Sequence, residues 1–183
     1  MPAIKEKTKI GGLKLSSELV QINFQNLPDI KKPVSLLCRI LSQNNINTPF
    51  FSTTRQEGKN KISCCVETED ITRTTYLLES DPDLRGKAKF VPSVGLLSVF
   101  PHRFSLKILG LSLYALAQAR LPVHGLASSV SSLTIATDYV HLDRGAASLA
   151  KHLGLPPDYN PLKPEIRVTQ SRIVKKIELS SPN

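Results

Sequence analysis

The side chains that could do chemistry are scattered along this chain rather than grouped. The four histidines lack the spacing of metal ligands. Cys64 and Cys65 are adjacent in a predicted strand and should point to opposite faces, so core packing explains them and Cys38 better than a metal site or a disulfide framework. We find no nucleophile–base arrangement, phosphate-binding glycine loop or paired Cys-x-x-Cys motif. The sequence therefore predicts a protein that is not an enzyme and that holds no metal or cofactor.

The polar residues best suited to ligand binding precede two predicted helices. Asn26 and Asp29 lie just before the first helix, where Asp29 would pair with a ligand ammonium group while helix N–H groups hold a ligand carboxylate. Asn and Asp are also common in turns and helix caps, which is the alternative explanation. Arg103 precedes a later helix and suits a bidentate contact with a carboxylate or phosphate, or equally an ordinary surface charge.

An internal repeat organises the elements around these two loops. Shifting the chain by about 75 residues places apolar positions of the first half on those of the second, such as Leu36 on Leu111 and Phe51 on Leu126. Beyond the first hairpin the shift falls to about 71 residues, as expected if one surface turn is shorter. The pattern predicts one structural unit that is present twice.

Each copy predicts the order β-α-β-β-α-β, so the fold class is α+β with two ferredoxin-like units packed together. In the first copy, residues 18–25 alternate like a half-buried strand, and Pro33 suits the first turn of a helix. In the second copy, residues 166–168 are the candidate last strand. The predicted organisation is an N-terminal tail at 1–17, a first domain at 18–93, a second domain at 94–170 and a C-terminal tail at 171–183.

The predicted helix at residues 106–119 is apolar on nearly all sides. A ferredoxin-like unit covers only one side of its helices, so a further surface must cover the rest. The sister repeat and a second subunit are the two candidates. We expect a homodimer.

Composition and charge set the expected location and partners. The 183 residues carry a net charge of +9, and the excess lies in the two tails and the second half without a dense basic run. The first residues lack the apolar stretch of a signal peptide, and the most apolar segment, residues 108–119, is too short to span a bilayer. The sequence predicts a cytoplasmic protein that does not bind membranes.

Three stretches resemble the tandem ACT domains in the regulatory region of aspartate kinases, and the resemblance covers about residues 18–170. These stretches are RILSQNNINTPFFSTT, VGLLSVFPHRF and LPVHGLASSVSSLTIATDYVHLDRGAASLAKHLGLP. The resemblance implies a regulatory module without a kinase domain. It also implies that an amino acid or another small metabolite binds between the first strand and first helix, at a domain interface, and thereby modulates a partner protein.

The resemblance also implies which residues contact the ligand. Many ACT sequences carry a glycine in the loop between first strand and first helix, but residues 26–30 and 101–105 contain none, so recognition would shift to side chains. The implied ligand-binding residues are Asn26, Leu27, Asp29, Ile30, Thr48, Ser52, Arg103 and Phe104.

Two other functions fit the same order of elements. An RNA-recognition domain shares it, and the chain is basic, but residues 62–67 and 133–137 lack the aromatic side chains on which such domains stack bases. Nucleic acid is therefore not the expected partner. A purely structural interaction module that has no ligand site is the other alternative.

Overall fold

The structure is a computed structural model that describes residues 7–56, 58–157 and 159. Residues 166–168, the predicted last strand, lie outside the described part of the chain. The described residues form four α-helices: α1 Lys31–Gln43, α2 Ile71–Ser80, α3 Leu106–Gln118 and α4 Leu142–His152. They also form nine strands: β1 Thr8–Lys9, β2 Gly12–Leu15, β3 Leu19–Leu27, β4 Phe50–Gln56, β5 Lys59–Glu67, β6 Ala88–Phe100, β7 Gly125–Ser128, β8 Leu133–Asp138 and β9 Leu153–Gly154.

One long strand, β6, joins the two halves of the molecule. Its first half pairs with β3, and its second half pairs with β8, while Val94 in the middle pairs with both Leu19 and Asp138. The hydrogen-bonded order is β4-β5-β3-β6-β8-β7, with β2 also on β6, and β1 pairs separately with β9. The sequence predicted two strands here, at 89–91 and 94–100, which the structure merges into one.

The strand β2 completes the second half of the sheet. It runs antiparallel to β6, from Gly12 opposite Phe100 to Leu15 opposite Leu97. The sequence placed residues 12–15 in an N-terminal tail, and the structure corrects this, because Leu13 and Leu15 are buried in the core.

Two ferredoxin-like units result, and the predicted fold class is confirmed. The first unit comprises β3, α1, β4, β5, α2 and the first half of β6. The second unit comprises the second half of β6, α3, β7, β8 and α4, with β2 from earlier in the chain as its fourth strand. In both units the strand that opens the unit lies between its third and fourth strands.

Three apolar clusters hold the described residues together. The first lies between the sheet and the helices of the first unit and includes Phe24, Leu37, Ile62 and Leu78. The second has the same position in the second unit and includes Leu13, Leu97, Leu116, Leu133 and Leu149. The third is built from strand residues of both units: Leu19, Phe50, Cys65, Val94, Leu96 and Ala136. The units therefore share an apolar contact on the sheet faces turned away from the helices.

Gly125 is a point of close approach between the units. A Cβ atom at this position would lie 2.9 Å from Cζ of Phe50 on β4. The Nε2 group of Gln21 donates to the carbonyl oxygen of His124 at 3.4 Å, next to this contact. A side chain at position 125 would force the Phe50 ring or β7 to shift, so glycine permits this close spacing.

Helix α3 buries one side and exposes the other. Ser105 caps its start, since the Oγ atom accepts from the Ile108 N–H at 3.2 Å. Ile108, Ala115 and Leu116 are buried, whereas Leu106 is 80% exposed and Tyr114 is 52% exposed. The sister unit therefore does not cover the outer side of α3. Among the described residues, no helix combines the length and apolar character needed to cross a membrane.

Candidate functional site

The loop that leads into α1 is closed by its own carboxylate. Oδ1 of Asp29 accepts from the N–H of Lys31 at 3.3 Å, and Oδ2 accepts from the N–H of Lys32 at 3.2 Å. These two backbone hydrogen bonds, that from Lys32 first, lower the pKa of Asp29. The third helical position is Pro33, which has no N–H group. The helix N–H groups were expected to hold a ligand carboxylate. Those of Lys31 and Lys32 instead donate to Asp29, and position 33 has none.

The same loop is anchored to the first hairpin by Asn60. Its Nδ2 group donates to the carbonyl oxygen of Leu27 at 3.0 Å and to that of Pro28 at 3.4 Å. Leu27 is buried in the core of the first unit, and Ile30 packs against that core. Asn26 is exposed, with a positive φ of 57°. Of the four predicted site residues in this loop, Asn26 and Asp29 face solvent.

Thr48 lies away from this loop within one chain, and Ser52 lies level with Asn23 with β5 between them. The sequence placed Thr48 on a strand, but β4 begins only at Phe50, and the Thr48 hydroxyl donates to the carbonyl oxygen of Phe50 at 2.9 Å. The strand registers set Leu27 level with Arg55. Thr48 therefore lies roughly 20 Å along the strand direction from that level, near the opposite end of the sheet.

The second predicted loop, residues 101–105, is bound to the turn between β7 and β8. The N–H of Arg103 donates to the carbonyl oxygen of Val130 at 2.8 Å, and the N–H of His102 donates to that of Ser131 at 3.3 Å. Arg103 and Phe104 both have positive φ values, 50° and 53°, and both are exposed. Their side chains face solvent, and they are brought close to the β7–β8 turn rather than to residues 26–30.

His102 is a residue whose role the sequence did not reveal. It is buried, and its Nδ1 and Nε2 atoms each lie 3.1 Å from a carbonyl oxygen, those of Ser129 and Ser105. The imidazole therefore ties the start of α3 to the β7–β8 turn. The Ser129 partner belongs to a hairpin distant in sequence, so no local motif marks this contact.

The cysteines are structural in two of three cases. Cys64 and Cys65 are buried as expected, and burial raises the pKa of each thiol to about 12. Protonated thiols at neutral pH are poor nucleophiles and metal ligands. Cys38 is exposed, which corrects the expectation that it packs in the core.

The described residues contain no group of three or more His, Cys, Asp or Glu that could hold a metal ion. His124 instead pairs with Asp138, with Nε2 and Oδ1 2.7 Å apart. This pair joins the residue before β7 to the end of β8 in the second unit.

Two clefts that the sequence did not predict flank the link between β2 and β3, residues 16–18. The larger has a volume of about 370 Å³ and is lined by Leu15, Ser16, Ser17, Tyr139, Val140, Leu142 and Asp143. The smaller, of about 190 Å³, is lined by Lys14, Ser16, Ser17, Pro49, Glu67, Leu96 and Ser98. Both lie where the chain passes from the second unit to the first.

No protein-family model and no curated protein sequence matches this chain. Solved structures match it in fold. The ligand-free regulatory subunit of aspartate kinase from Thermus thermophilus superposes with a TM-score of 0.70 at 13% identity, covering 79% of this chain and 99% of that chain. A putative C-terminal regulatory domain of aspartate kinase from Porphyromonas gingivalis gives a TM-score of 0.59 at 11% identity, covering 78% of this chain and 96% of that chain.

A larger protein matches over the same region. Escherichia coli aspartokinase III, in complex with lysine and aspartate, gives a TM-score of 0.62 at 13% identity, covering 82% of this chain but 34% of that chain. The chain therefore has the fold of aspartate kinase regulatory domains, the paired ACT-type fold that its sequence resembles, and the match spans nearly the whole of the regulatory subunits.

Proposed function

We propose that this protein is a non-catalytic regulatory module that binds a small metabolite, an amino acid, and modulates a partner protein in the cytoplasm. The observation that supports the proposal is the fold match to aspartate kinase regulatory subunits over 79% of this chain and 99% of the neighbour. A catalytic centre is not part of the proposal, since the thiols at Cys64 and Cys65 are buried and protonated. An RNA-binding role is not favoured, because β5 and β8 carry no aromatic residue.

The proposed effector contacts follow the exposed polar groups of the two loops. Asp29 and Asn26 would meet the ammonium group of an amino acid at the first loop, and Arg103 would meet the carboxylate of a separate ligand at the second. Phe104 would add an apolar contact there. Thr48 would take part only if a second copy of the chain supplies it, because it lies far from residues 26–30 within one chain, and Ser52 is separated from that loop by β5.

We also propose that the protein is a homodimer. Leu106, Leu113 and Tyr114 form an exposed apolar side on α3 that the sister unit leaves uncovered. A second copy would bury this side through a two-fold axis, which is the commonest symmetry of homo-oligomers. Sedimentation velocity at micromolar concentration should give the mass of a dimer, and Leu106→Glu should give a monomer. A wild-type monomer throughout would contradict the dimer.

A thermal-shift screen of the twenty L-amino acids tests the effector. A ligand that binds the folded state raises the melting temperature, by an amount that grows with its concentration. Calorimetry on the best amino acid should then show affinity reduced about tenfold or more by Asp29→Ala, since a charged hydrogen bond is lost. Glu18→Ala, an exposed carboxylate removed at the other end of β3, is the matched control. The effector proposal fails if no amino acid changes the melting temperature.

A further inference from the structure

The outer side of α3 carries a row of four exposed residues that can interlock with a copy of itself. Leu106, Gly110, Leu113 and Ala117 alternate large and small side chains at intervals of four, three and four residues. That spacing is the one with which paired helices interlock. We infer that α3 packs antiparallel against α3 of a second copy, with each leucine over a glycine or alanine. The inference rests on the homodimer proposed above and adds its direction and register.

Gly110 has no explanation within a single chain. A glycine in the interior of a helix destabilises that helix relative to alanine. Glycine allows another group to approach the backbone closely, but a Cβ atom at Gly110 would meet no atom from elsewhere in the chain within 4 Å. The space over Gly110 is therefore open, and a leucine from a second copy can fill it.

The residue types favour the antiparallel direction. In a parallel pair each residue meets its own copy, so two glycines would leave a gap at 110 while two leucines meet at 113. In an antiparallel pair whose two-fold axis crosses the middle of α3, Leu106 meets Ala117 and Gly110 meets Leu113. Each contact then combines one large and one small side chain, which fills the space between the helices evenly.

Charge supports the same direction. Lys107 is the one charged residue in α3, Leu106–Gln118, and it lies at the N-terminal end beside the row. A parallel pair would place the two copies of Lys107 side by side. In the antiparallel register they lie roughly 13 Å apart along the helix axes. That separation exceeds a Debye length at physiological salt, so the repulsion is screened.

Tyr114 and Leu109 widen the apolar surface on the two flanks of the row. The Tyr114 ring is 52% exposed and packs edge-on against His152 of α4, with ring centroids 5.3 Å apart. Leu109, on the other flank, is partly buried against the core of the second unit. Side chains already held in place lose less freedom when a second copy binds, which favours association.

Sedimentation velocity of the full chain tests the row through Gly110→Leu. The dissociation constant of the dimer should rise by about tenfold or more, because two leucines would meet where a leucine met a glycine. The melting temperature of the dilute monomer should not fall, since leucine favours a helix more than glycine does and the space is open. Gln118→Leu, which adds the same side chain outside the row, is the matched control and should leave the dissociation constant within about threefold.

A second substitution tests the pairing itself. Gly110→Leu combined with Leu113→Ala again places one large and one small side chain at each contact. The dissociation constant should return to within about threefold of the wild-type value. A double variant that dimerises no better than Gly110→Leu alone would overturn the register.

Disulfide cross-linking tests the direction. Leu106→Cys and Ala117→Cys are each made with Cys38→Ser, which removes the exposed native thiol. When the two variants are mixed and oxidised, position 106 of one chain should link to position 117 of the other. Neither variant alone should form a linked dimer, because two copies of the same position lie roughly 16 Å apart. Self-linked chains of either variant would overturn the antiparallel direction.

The outcomes separate this inference from the homodimer on which it rests. A wild type that stays monomeric overturns both. A dimer that Leu106→Glu dissociates, but that Gly110→Leu leaves unchanged or tightens, keeps the homodimer and overturns the antiparallel row. A dimer that neither substitution weakens overturns α3 as the interface, and the row with it.

Discussion

At the residue scale, Asp29 has two competing uses, as a ligand contact and as the cap of α1. The cap makes a prediction of its own. Because its N–H donors lower the pKa of Asp29 below the ordinary value of 3.8, the carboxylate stabilises the fold above that pH and loses this effect as the pH falls through the lowered pKa. Asp29→Ala should lower the melting temperature by roughly 2 °C at neutral pH.

The pH series distinguishes the cap from a general effect of the substitution. The difference between wild type and Asp29→Ala should shrink as thermal unfolding is followed from neutral pH to below 3.8. Asp29→Asn is the control, since an amide oxygen also caps a helix and retains most of the stability. A difference that stays constant with pH would show that the carboxylate charge does not contribute.

His102 makes a second prediction at this scale. In His102→Ala the carbonyl group of Ser129 loses the imidazole, that of Ser105 keeps only the Leu109 N–H, and a cavity remains. The free energy of unfolding should fall by about 2–4 kcal/mol in urea denaturation. His102→Phe keeps the volume without the polar ring nitrogens, so it should be nearly as destabilised. A stable Phe variant would mean that packing, not hydrogen bonding, explains the buried ring.

The sequence located the two loops but not how they are held. The types of Asn26 and Asp29 indicate a turn that enters a helix, and the structure places them there. The anchors of both loops, Asn60 and His102, depend on contacts between a loop and a hairpin that is distant in sequence. Local patterns contain no information on such contacts, so these side chains could not be assigned.

At the element scale, β2 shows where periodicity falls short. Leu13, Lys14 and Leu15 alternate as a strand should, but four residues are too few to distinguish a strand from a tail. Longer elements gave stronger signals: the predicted helix at 106–119 matches α3, Leu106–Gln118. The partner of β2 is β6, far along the chain, and only the folded molecule reveals the pairing.

The two faces of β2 make a matched prediction. Leu13 is fully buried in the second core, whereas its neighbour Lys14 is exposed. Leu13→Ala should reduce the free energy of unfolding by about 2–5 kcal/mol, since a cavity replaces the side chain. Lys14→Ala should change it by less than about 0.5 kcal/mol. Urea denaturation of both variants checks this. Equally small effects would show that residues 12–15 do not contribute to the stability of the sheet.

At the scale of the whole molecule, the sequence revealed the repeat but not how the two units share strands. A shift of about 75 residues predicted two similar units. The units nevertheless share β6, and the second unit takes β2 from before the first. The first unit is therefore a continuous segment that ends within a shared strand, whereas the second unit is not continuous in sequence.

This sharing predicts that both units unfold in one transition. Unfolding of the first unit removes β3 from β6, and Val94 at the centre of β6 belongs to the cluster between the units. Loss of either unit exposes apolar surface and strand edges of the other, which couples their stabilities. The chain has no tryptophan, so one can be introduced as a separate probe in each unit.

Tyr76→Trp on α2 reports on the first unit, and Tyr139→Trp before α4 reports on the second. These tyrosines are 73% and 36% exposed, so neither substitution disturbs a core. Fluorescence of the two variants in urea should give the same midpoint, equal to that of circular dichroism on the wild type. Val94→Ala, added to each variant, should lower both urea midpoints together. The free energy of unfolding should fall by about 2 kcal/mol. Separate midpoints, or a shift confined to one probe, would show that the shared strand does not couple the units.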